Sequence, residues 1–241
     1  MGRDNAIVIG GQSINLWAEF YRSQIPDLLE QGPFLSRDID FLHNARAETS
    51  LVKALGGKLV LPSGGDHTPN AALFLGEIEG CRVRIDFMRE VLGVKADALK
   101  RRFVTIAGVT PSGETVSILL MHPLHCFQSR LANINTLGRR DAVAIRQARA
   151  SVHILRAFLD DLLSRSETRQ AQSILREYFF TLKQGYFGFP AHIEIDLHPE
   201  VVLDAFRGDS RFDARWRGHQ LQHFIETSER LRSRALGPPD L

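Results

Sequence analysis

Apolar and polar residues alternate in several short runs of the first half of the chain, a pattern typical of β-strands. The clearest run is Cys-Arg-Val-Arg-Ile-Asp-Phe-Met at residues 81–88, where Val83, Ile85 and Phe87 alternate with polar positions. The same pattern predicts strands at residues 5–11, 38–43, 58–61, 71–79, 82–87, 103–107 and 116–121. Helices are predicted between some of them, one from Ser13 to about residue 30 with an interruption near Pro26, and one over 45–55 that ends at Gly56-Gly57.

From Pro123 onward the apolar residues recur every three or four positions instead, as in Leu124, Phe127 and Leu131. This spacing indicates helices. Further helices are predicted over residues 142–163, 166–185, 199–206 and 211–235. The chain is therefore expected to be an α+β protein, with a mixed sheet in a first domain over residues 1–121 and a helical domain over residues 122–241.

One stretch of the second half departs from the helical spacing. His192, Glu194, Asp196 and His198 alternate there with apolar residues. A period of two is typical of an extended strand, so this stretch is predicted to be a strand-like segment or a loop with its polar side in water.

Charge and composition narrow the class of protein only moderately. The 241 residues carry a net charge of +2, with 13 basic and 14 acidic residues up to Met121 and 17 basic and 14 acidic residues after it. The mild arginine excess of the second half would favour a polyanion as partner. No apolar run is long enough to cross a bilayer, no signal-peptide pattern is present, and two distant cysteines suit a reducing compartment. We expect a cytoplasmic protein.

The pair Asp38 and Asp40, in Ser-Arg-Asp-Ile-Asp-Phe, is the first candidate for chemistry. In an extended segment alternate side chains share a face, so both carboxylates would point to one side while Ile39 and Phe41 enter the core. Two converging carboxylates repel each other, and a bound divalent cation is the natural way to keep both ionised.

Asp86 supplies a third carboxylate from the polar face of the strand at residues 82–87. Three carboxylates on neighbouring strands give the oxygen ligands that Mg²⁺ or Mn²⁺ prefers, and such an ion could bridge a nucleoside triphosphate. We therefore predict that Asp38, Asp40 and Asp86 form a metal site with a catalytic role.

These residues, taken with the upstream glycines, resemble the signature of the nucleotidyltransferase superfamily, which has the DNA polymerase β-like fold. The signature is an apolar residue and Gly-Gly, then a helix, then Asp-apolar-Asp-apolar. The chain matches it at Ile9, Gly10, Gly11, Asp38, Ile39, Asp40 and Phe41, with Asp86 as the third acid. Within that superfamily the sequence is most similar to AbiEii-type toxins and their relatives.

The resemblance implies transfer of a nucleoside monophosphate from a triphosphate to a hydroxyl group on RNA, protein or a small molecule. It implies Mg²⁺ or Mn²⁺ as cofactor and a cognate antitoxin protein as partner. The residues expected to contact the nucleotide are Gly10, Gly11, Ser13, Arg37, Arg84, Gln128, Arg130, Arg140 and Asp141. Among acceptors, the arginine excess of the second half favours RNA.

Two positions differ from the family pattern in the second half. Gln128 stands where the family usually has Lys, and Ala144 stands where it has Asp. Because a neutral amide cannot replace a cationic amine, the alternative is a catalytically weak or inactive nucleotide-binding or interaction protein on the same fold.

His122, His125 and Cys126 lie close together and are chemically suited to bind a transition metal. A closed structural zinc site needs four such ligands, and only Cys81 offers a further thiol. The expected structure is therefore the start of a helix with partly buried histidine and cysteine side chains.

Overall fold

The structure is a computed structural model that describes residues 6–25, 28, 39–63, 65, 68–110, 112–195 and 197–236. The chain forms two compact units. The first combines Met1–Leu16 with Phe34–Cys126, and the second combines Trp17–Pro33 with Phe127–Leu241. Within the described ranges no helix is long and apolar enough to span a membrane.

The first unit contains a seven-stranded mixed sheet, in the order β3-β4-β5-β2-β1-β7-β6. Its strands are β1 (Ile7–Val8), β2 (Ile39–Leu42), β3 (Lys58–Val60), β4 (Asn70–Ile78), β5 (Cys81–Met88), β6 (Phe103–Val109) and β7 (Thr115–Met121). β2 pairs parallel with β5 and antiparallel with β1, while β1 pairs parallel with β7. The prediction of a mixed sheet is thus confirmed.

One face of the central strands is buried against the helix α2 (Ala45–Leu55), which follows β2. Leu51 of α2 packs with Phe74, Ile85 and Phe87 of the sheet, and Ile39 and Phe41 pack against the same cluster. Asn44 caps this helix by accepting hydrogen bonds from the first-turn amides. Because side chains alternate along a strand, burial of Ile39 and Phe41 sends Asp40 to the opposite face, as predicted.

The described residues of the second unit are almost entirely helical after Cys126. Its elements are α4 (Pro123–Leu137) from Phe127 onward, α5 (Ala142–Ser164), α6 (Thr168–Lys183), α7 (Gly185–Phe189), α8 (Val201–Asp204), α9 (Ala214–Trp216) and α10 (Gln222–Leu236). Two short π-helical turns, Pro190–Glu194 and Arg217–Leu221, precede α8 and α10 respectively. Its core includes Phe127, Tyr178 and Phe212, all buried.

Three local predictions differ from the structure. The first helix, α1 (Gly10–Phe20), begins at Gly10 and not at Ser13. The short helix α3 (Ala96–Arg101) was not predicted. The prediction of a strand-like segment or loop over residues 192–198 is wrong for residues 192–194, because Pro190–Glu194 forms a π-helical turn in which His192 is buried. Residues 195, 197 and 198 lie outside helices and strands, as the loop alternative predicted. A period of two over so few residues does not exclude a wide helical turn when neighbouring helices bury one side of it.

Candidate functional site

The register between the two central parallel strands brings two of the predicted acids together. Asp40 of β2 lies directly opposite Asp86 of β5, within a run of paired residues from Ile39 and Ile85 to Leu42 and Met88. Paired residues of neighbouring strands point to the same side, and such strands lie about 4.8 Å apart. The two carboxylates therefore leave the same face of the sheet, opposite to the face that α2 covers.

The glycine turn at the start of α1 lies against Asp40. The amide of Ile9 donates a hydrogen bond of 2.9 Å to the carbonyl of Asp40. Gly10 then adopts a φ of +66°, and a Cβ atom at this position would overlap Oδ2 of Asp40 and lie 3.2 Å from its Cγ. Glycine is required here twice, for the left-handed backbone and for the space that the Asp40 carboxylate occupies.

Asp86 is buried, with 6% of its surface exposed, and its side chain is held by two donors. Asn70 Nδ2 donates to Asp86 Oδ1 at 2.9 Å, and Arg84 Nη2 lies 3.3 Å from the same oxygen. Arg84, which the sequence led us to expect at the nucleotide, thus shares a face with Asp86 and contacts its carboxylate. Both donors use Oδ1, so neither of them contacts Oδ2.

Asn70 was not predicted as a site residue. Between Asn70 and Ala72 the pairing of β4 with β5 shifts by one residue, which is a β-bulge. Strict alternation from Ala72, which packs in the core, would send Asn70 to the core side as well. The bulge instead places Asn70 opposite Met88, on the face of Asp86. Bulges redirect side chains in this way, and a single sequence carries no local signal for them.

Two of the predicted site residues, Arg37 and Asp38, lie outside the described residues. Among the residues that are described, no group of three or more His, Cys, Asp or Glu side chains is arranged to hold a metal ion. Of the three predicted metal ligands, Asp40 and Asp86 are among the described residues, and they lie side by side on one face of the sheet.

Ser13 does not have the environment predicted for a residue that contacts phosphate. Its side chain is fully buried in the first turns of α1. The hydroxyl donates to the carbonyl of Met121 at 3.5 Å and lies 3.6 Å from Sγ of Cys126. The prediction is corrected on this point, because α1 begins three residues earlier and turns this position inward. Gly10 and Gly11, by contrast, are partly exposed.

Most predicted nucleotide contacts of the second half have partners within the second unit. Gln128 Nε2 donates to Thr181 Oγ1 at 3.0 Å. Arg140 makes a two-pronged ion pair with Glu194, at 3.0 and 2.9 Å.

Asp141 directly precedes α5, and Arg130 of α4 contacts a side chain of the same helix. Asp141 caps this helix by accepting from the amides of Val143 and Ala144 at 3.0 Å each. Arg130 Nη1 donates to Gln147 Oε1 at 2.9 Å. Asp141 thus has a structural role that its sequence position, directly before a long helix, already suggested.

His122 and His125 form a buried pair at the start of α4, as expected. Their ring centroids are 5.6 Å apart, and His122 Nδ1 accepts from the amide of Leu124 at 3.1 Å. Burial, and then the nearby charge of Arg102, lowers the pKa of His125 to about 4 and lowers the pKa of His122 well below its ordinary value. Both rings are therefore neutral at pH 7.

The chain was also compared with known proteins. No family model matches it, no curated protein is significantly similar to it, and no solved structure matches its fold.

Proposed function

We propose that the protein is a metal-dependent nucleotidyltransferase, which transfers a nucleoside monophosphate from a triphosphate to a hydroxyl acceptor. The observation that carries this proposal is the pairing of Asp40 with Asp86 on one face of the central strands, beside the glycine turn at Gly10. The motif resemblance agrees with it, since Gly10, Asp40 and Asp86 all belong to the matched signature.

The chemistry of the two carboxylates fits a divalent cation. Asp40 and Asp86 would hold Mg²⁺ or Mn²⁺ together with Asp38, which stands two positions before Asp40 in the sequence. When bound, such an ion neutralises the charge that develops on the attacking and leaving oxygens of phosphoryl transfer. The Asn70 and Arg84 contacts fix Asp86 through Oδ1, so Oδ2 is the oxygen placed to serve the reaction.

The remaining roles follow from the position of each residue. The positive end of the α1 dipole, at Gly10 and Gly11, favours the phosphates of the nucleotide, and the absence of side chains there lets them approach the backbone. Asp86 accepts the proton of the acceptor hydroxyl. The acceptor oxygen forms a bond to the α-phosphorus while the bond to pyrophosphate breaks. Arg84 orients Asp86 and contributes positive charge at the same face.

Replacement of either paired acid tests the proposal. Asp40→Asn and Asp86→Asn keep the size of the side chain but remove the charge, so we expect at least about a 100-fold loss of nucleotide incorporation. The measurement is release of pyrophosphate and transfer of α-labelled nucleotide from each of the four triphosphates, with Mg²⁺ or Mn²⁺, to RNA, protein and small hydroxyl compounds.

Asp97→Asn is the matched control, because Asp97 is an exposed carboxylate of the same unit on α3. This variant should transfer nucleotide as the wild type does. Circular dichroism should show the wild-type fold in all three variants. Equal nucleotide incorporation by wild type, Asp40→Asn and Asp86→Asn would contradict the proposed mechanism.

A second candidate is a nucleotide-binding or interaction protein without transfer activity. Two neutral residues favour it: Gln128, whose amide is engaged with Thr181, and Ala144, whose amide is engaged with Asp141. Isothermal titration with each triphosphate, with and without Mg²⁺, separates the candidates. Saturable binding without pyrophosphate release in the presence of every acceptor would favour this second function.

A further inference from the structure

The strand β6 forms one edge of the sheet in the first unit. It pairs with β7 over its full length, and no described strand pairs with its other side. Its seven residues, Phe-Val-Thr-Ile-Ala-Gly-Val, include no charged residue and no proline, and its register with β7 is regular. Exposed edge strands are commonly kept from pairing by charge, proline, bulges or short length. β6 has none of these features.

The opposite edge of the same sheet differs from β6. β3 is only three residues long and begins with an exposed lysine, Lys58. A short strand that carries a lysine discourages the addition of a further strand. The contrast within one sheet indicates that the β6 edge is the one open to a partner.

Half of the backbone polar groups of β6 point away from β7. The amide of Thr110 donates to the carbonyl of Glu114 at 2.9 Å, so these two residues form a hydrogen-bonded pair where the hairpin closes. Hydrogen-bonded pairs alternate along an antiparallel ladder, so every second residue of β6 faces β7. The residues whose amides and carbonyls face the open edge are then Phe103, Thr105, Ala107 and Val109.

The side chains of these four open-edge residues are also exposed, on one face of the sheet. Phe103 is 37% exposed and Val109 is 72% exposed, so a large apolar side chain faces water at each end of the strand. Ile106, on the other face, is buried. A strand added at this edge would therefore cover apolar surface as well as pair backbone groups.

We propose that β6 pairs antiparallel with β6 of a second copy of this chain, about a two-fold axis at Ile106. In this register Phe103 of one copy lies opposite Val109 of the other, and Thr105 lies opposite Ala107. Open-edge residues of both copies then meet as hydrogen-bonded pairs, so their amides and carbonyls all gain partners. An aromatic residue opposite a β-branched residue is a stabilising cross-strand pair. The dimer has one continuous sheet.

The charges that flank β6 select the antiparallel direction. Arg101 and Arg102 precede the strand, and Glu114 lies in the hairpin that follows it. Antiparallel pairing places the arginines of the two copies at opposite ends of the interface, each beside the end where the partner carries Glu114. Parallel pairing would bring all of these arginines together, and like charges on neighbouring strands are destabilising.

The pairing is independent of the proposed transfer reaction, since β1 and β7 separate β6 from β2. A single pair of strands is small beside the roughly 1,600 Å² of a standard interface. We therefore expect a weak dimer, with a Kd on the order of 10 µM.

Sedimentation velocity of the full-length protein, at concentrations from about 10-fold below to about 10-fold above that Kd, tests the proposal. Wild type should convert from monomer to dimer. Ala107→Lys should weaken dimerisation at least about 10-fold, because it places two positive charges close to the two-fold axis.

Ser117→Lys is the matched control. Ser117 is the exposed residue of β7 that pairs with Ala107, so this variant adds the same charge one strand away from the edge. It should dimerise as wild type does. Circular dichroism should show the wild-type fold in both lysine variants.

Amide hydrogen exchange of wild type, followed by NMR, distinguishes strand pairing from any other contact between copies. The amides of Thr105, Ala107 and Val109 should exchange at least about 10-fold more slowly at high protein concentration than at low concentration. The amide of Ile106, which faces β7, should be protected at both.

Three results would overturn the proposal: wild type that stays monomeric, a dimer whose open-edge amides exchange as in the monomer, or an equal effect of Ala107→Lys and Ser117→Lys. The first result would leave the edge to an extended segment of another protein. Asp40→Asn should dimerise as wild type does, so failure of the transfer reaction is distinguishable from failure of this pairing.

Discussion

Two groups of polar residues in the described chain are opposite in charge and are built by different periodicities: an acidic pair in the first unit, and a basic cavity of the second unit where α4 ends. The acidic site of the first unit joins Asp40 and Asp86 through the register of two parallel strands. The basic cavity of the second unit joins Arg130 and Asn133, three residues apart on one face of α4, with Arg139 from the following turn. The acidic residues are neighbours on adjacent strands, whereas the basic residues are neighbours on successive turns of one helix and the turn after it.

This difference determines how strongly substitutions elsewhere in the chain should disturb the geometry of each site. The acidic site depends on pairings between residues distant in sequence, such as Asn70 with Asp86, so changes elsewhere in the sheet should reach it. Four of the five polar residues that line the basic cavity fall within twelve positions of the chain, from Arg130 to Asp141. Its geometry rests mainly on a helix end and a turn. In both sites a glycine with positive φ lies next to the polar groups, Gly10 in the first unit and Gly138 in the second.

The glycines give the largest expected effect. Gly10→Ala adds backbone strain and also an overlap with the Asp40 carboxylate, and together these should cost about 3 to 4 kcal/mol of unfolding free energy. Gly138→Ala has a similar φ, but the nearest atom to an added Cβ is Arg140 Nη1 at 3.7 Å. It should cost only the strain, about 1 to 2 kcal/mol.

Urea unfolding of both variants measures this contrast. Mn²⁺ binding, followed by electron paramagnetic resonance, should weaken in Gly10→Ala and remain normal in Gly138→Ala. Equal costs of the two substitutions would show that the contact between Gly10 and Asp40 has no energetic role.

Acid pH should destabilise the first unit through the buried histidine pair. Burial lowers the pKa of His125 from 6.5 to about 4, so between these two pH values the unfolded chain binds a proton that the folded protein does not. The free energy of unfolding is therefore unaffected by this group above pH 6.5 and decreases as the pH falls from 6.5 towards 4. For His125 the loss is on the order of 3 kcal/mol.

Hydrogen exchange in β5 and β7 at several pH values follows this loss. Both tryptophans, Trp17 and Trp216, lie in the second unit, so their fluorescence reports that unit separately. His125→Asn should reduce the acid sensitivity of the first unit. If hydrogen exchange in this variant depends on pH as it does in wild type, the histidine pair is not the cause of the acid destabilisation.

The smallest expected effect is that of Asn70. Asn70→Ala removes the 2.9 Å hydrogen bond to Asp86 Oδ1 but leaves the carboxylate charged. We expect about a 5- to 10-fold weaker Mn²⁺ affinity, since the acid is then oriented by Arg84 alone. Thr68→Ala is the control, because its hydroxyl contacts only the backbone amide of Asn70 among the described residues. Equal Mn²⁺ affinity in wild type and Asn70→Ala would mean that Asn70 does not position Asp86.

The sequence alone determined most of the strands and long helices, and the face of the sheet on which Asp40 and Asp86 lie. Alternation along residues 82–87 predicted both the strand and the polar face of Asp86, and the helix Ala45–Leu55 has the predicted bounds. These features depend on local periodicity and on residues such as Gly56, which a single sequence displays directly.

The tertiary structure alone decided which polar groups meet. The bulge that brings Asn70 to Asp86, the inward turn of Ser13 and the π-helical turn around His192 all depend on packing against distant segments. Strand register and bulges are fixed by hydrogen bonds between strands far apart in sequence, and no local pattern encodes them. The cavity around Asn133 likewise exists only because the chain reverses at Gly138 and returns over α4.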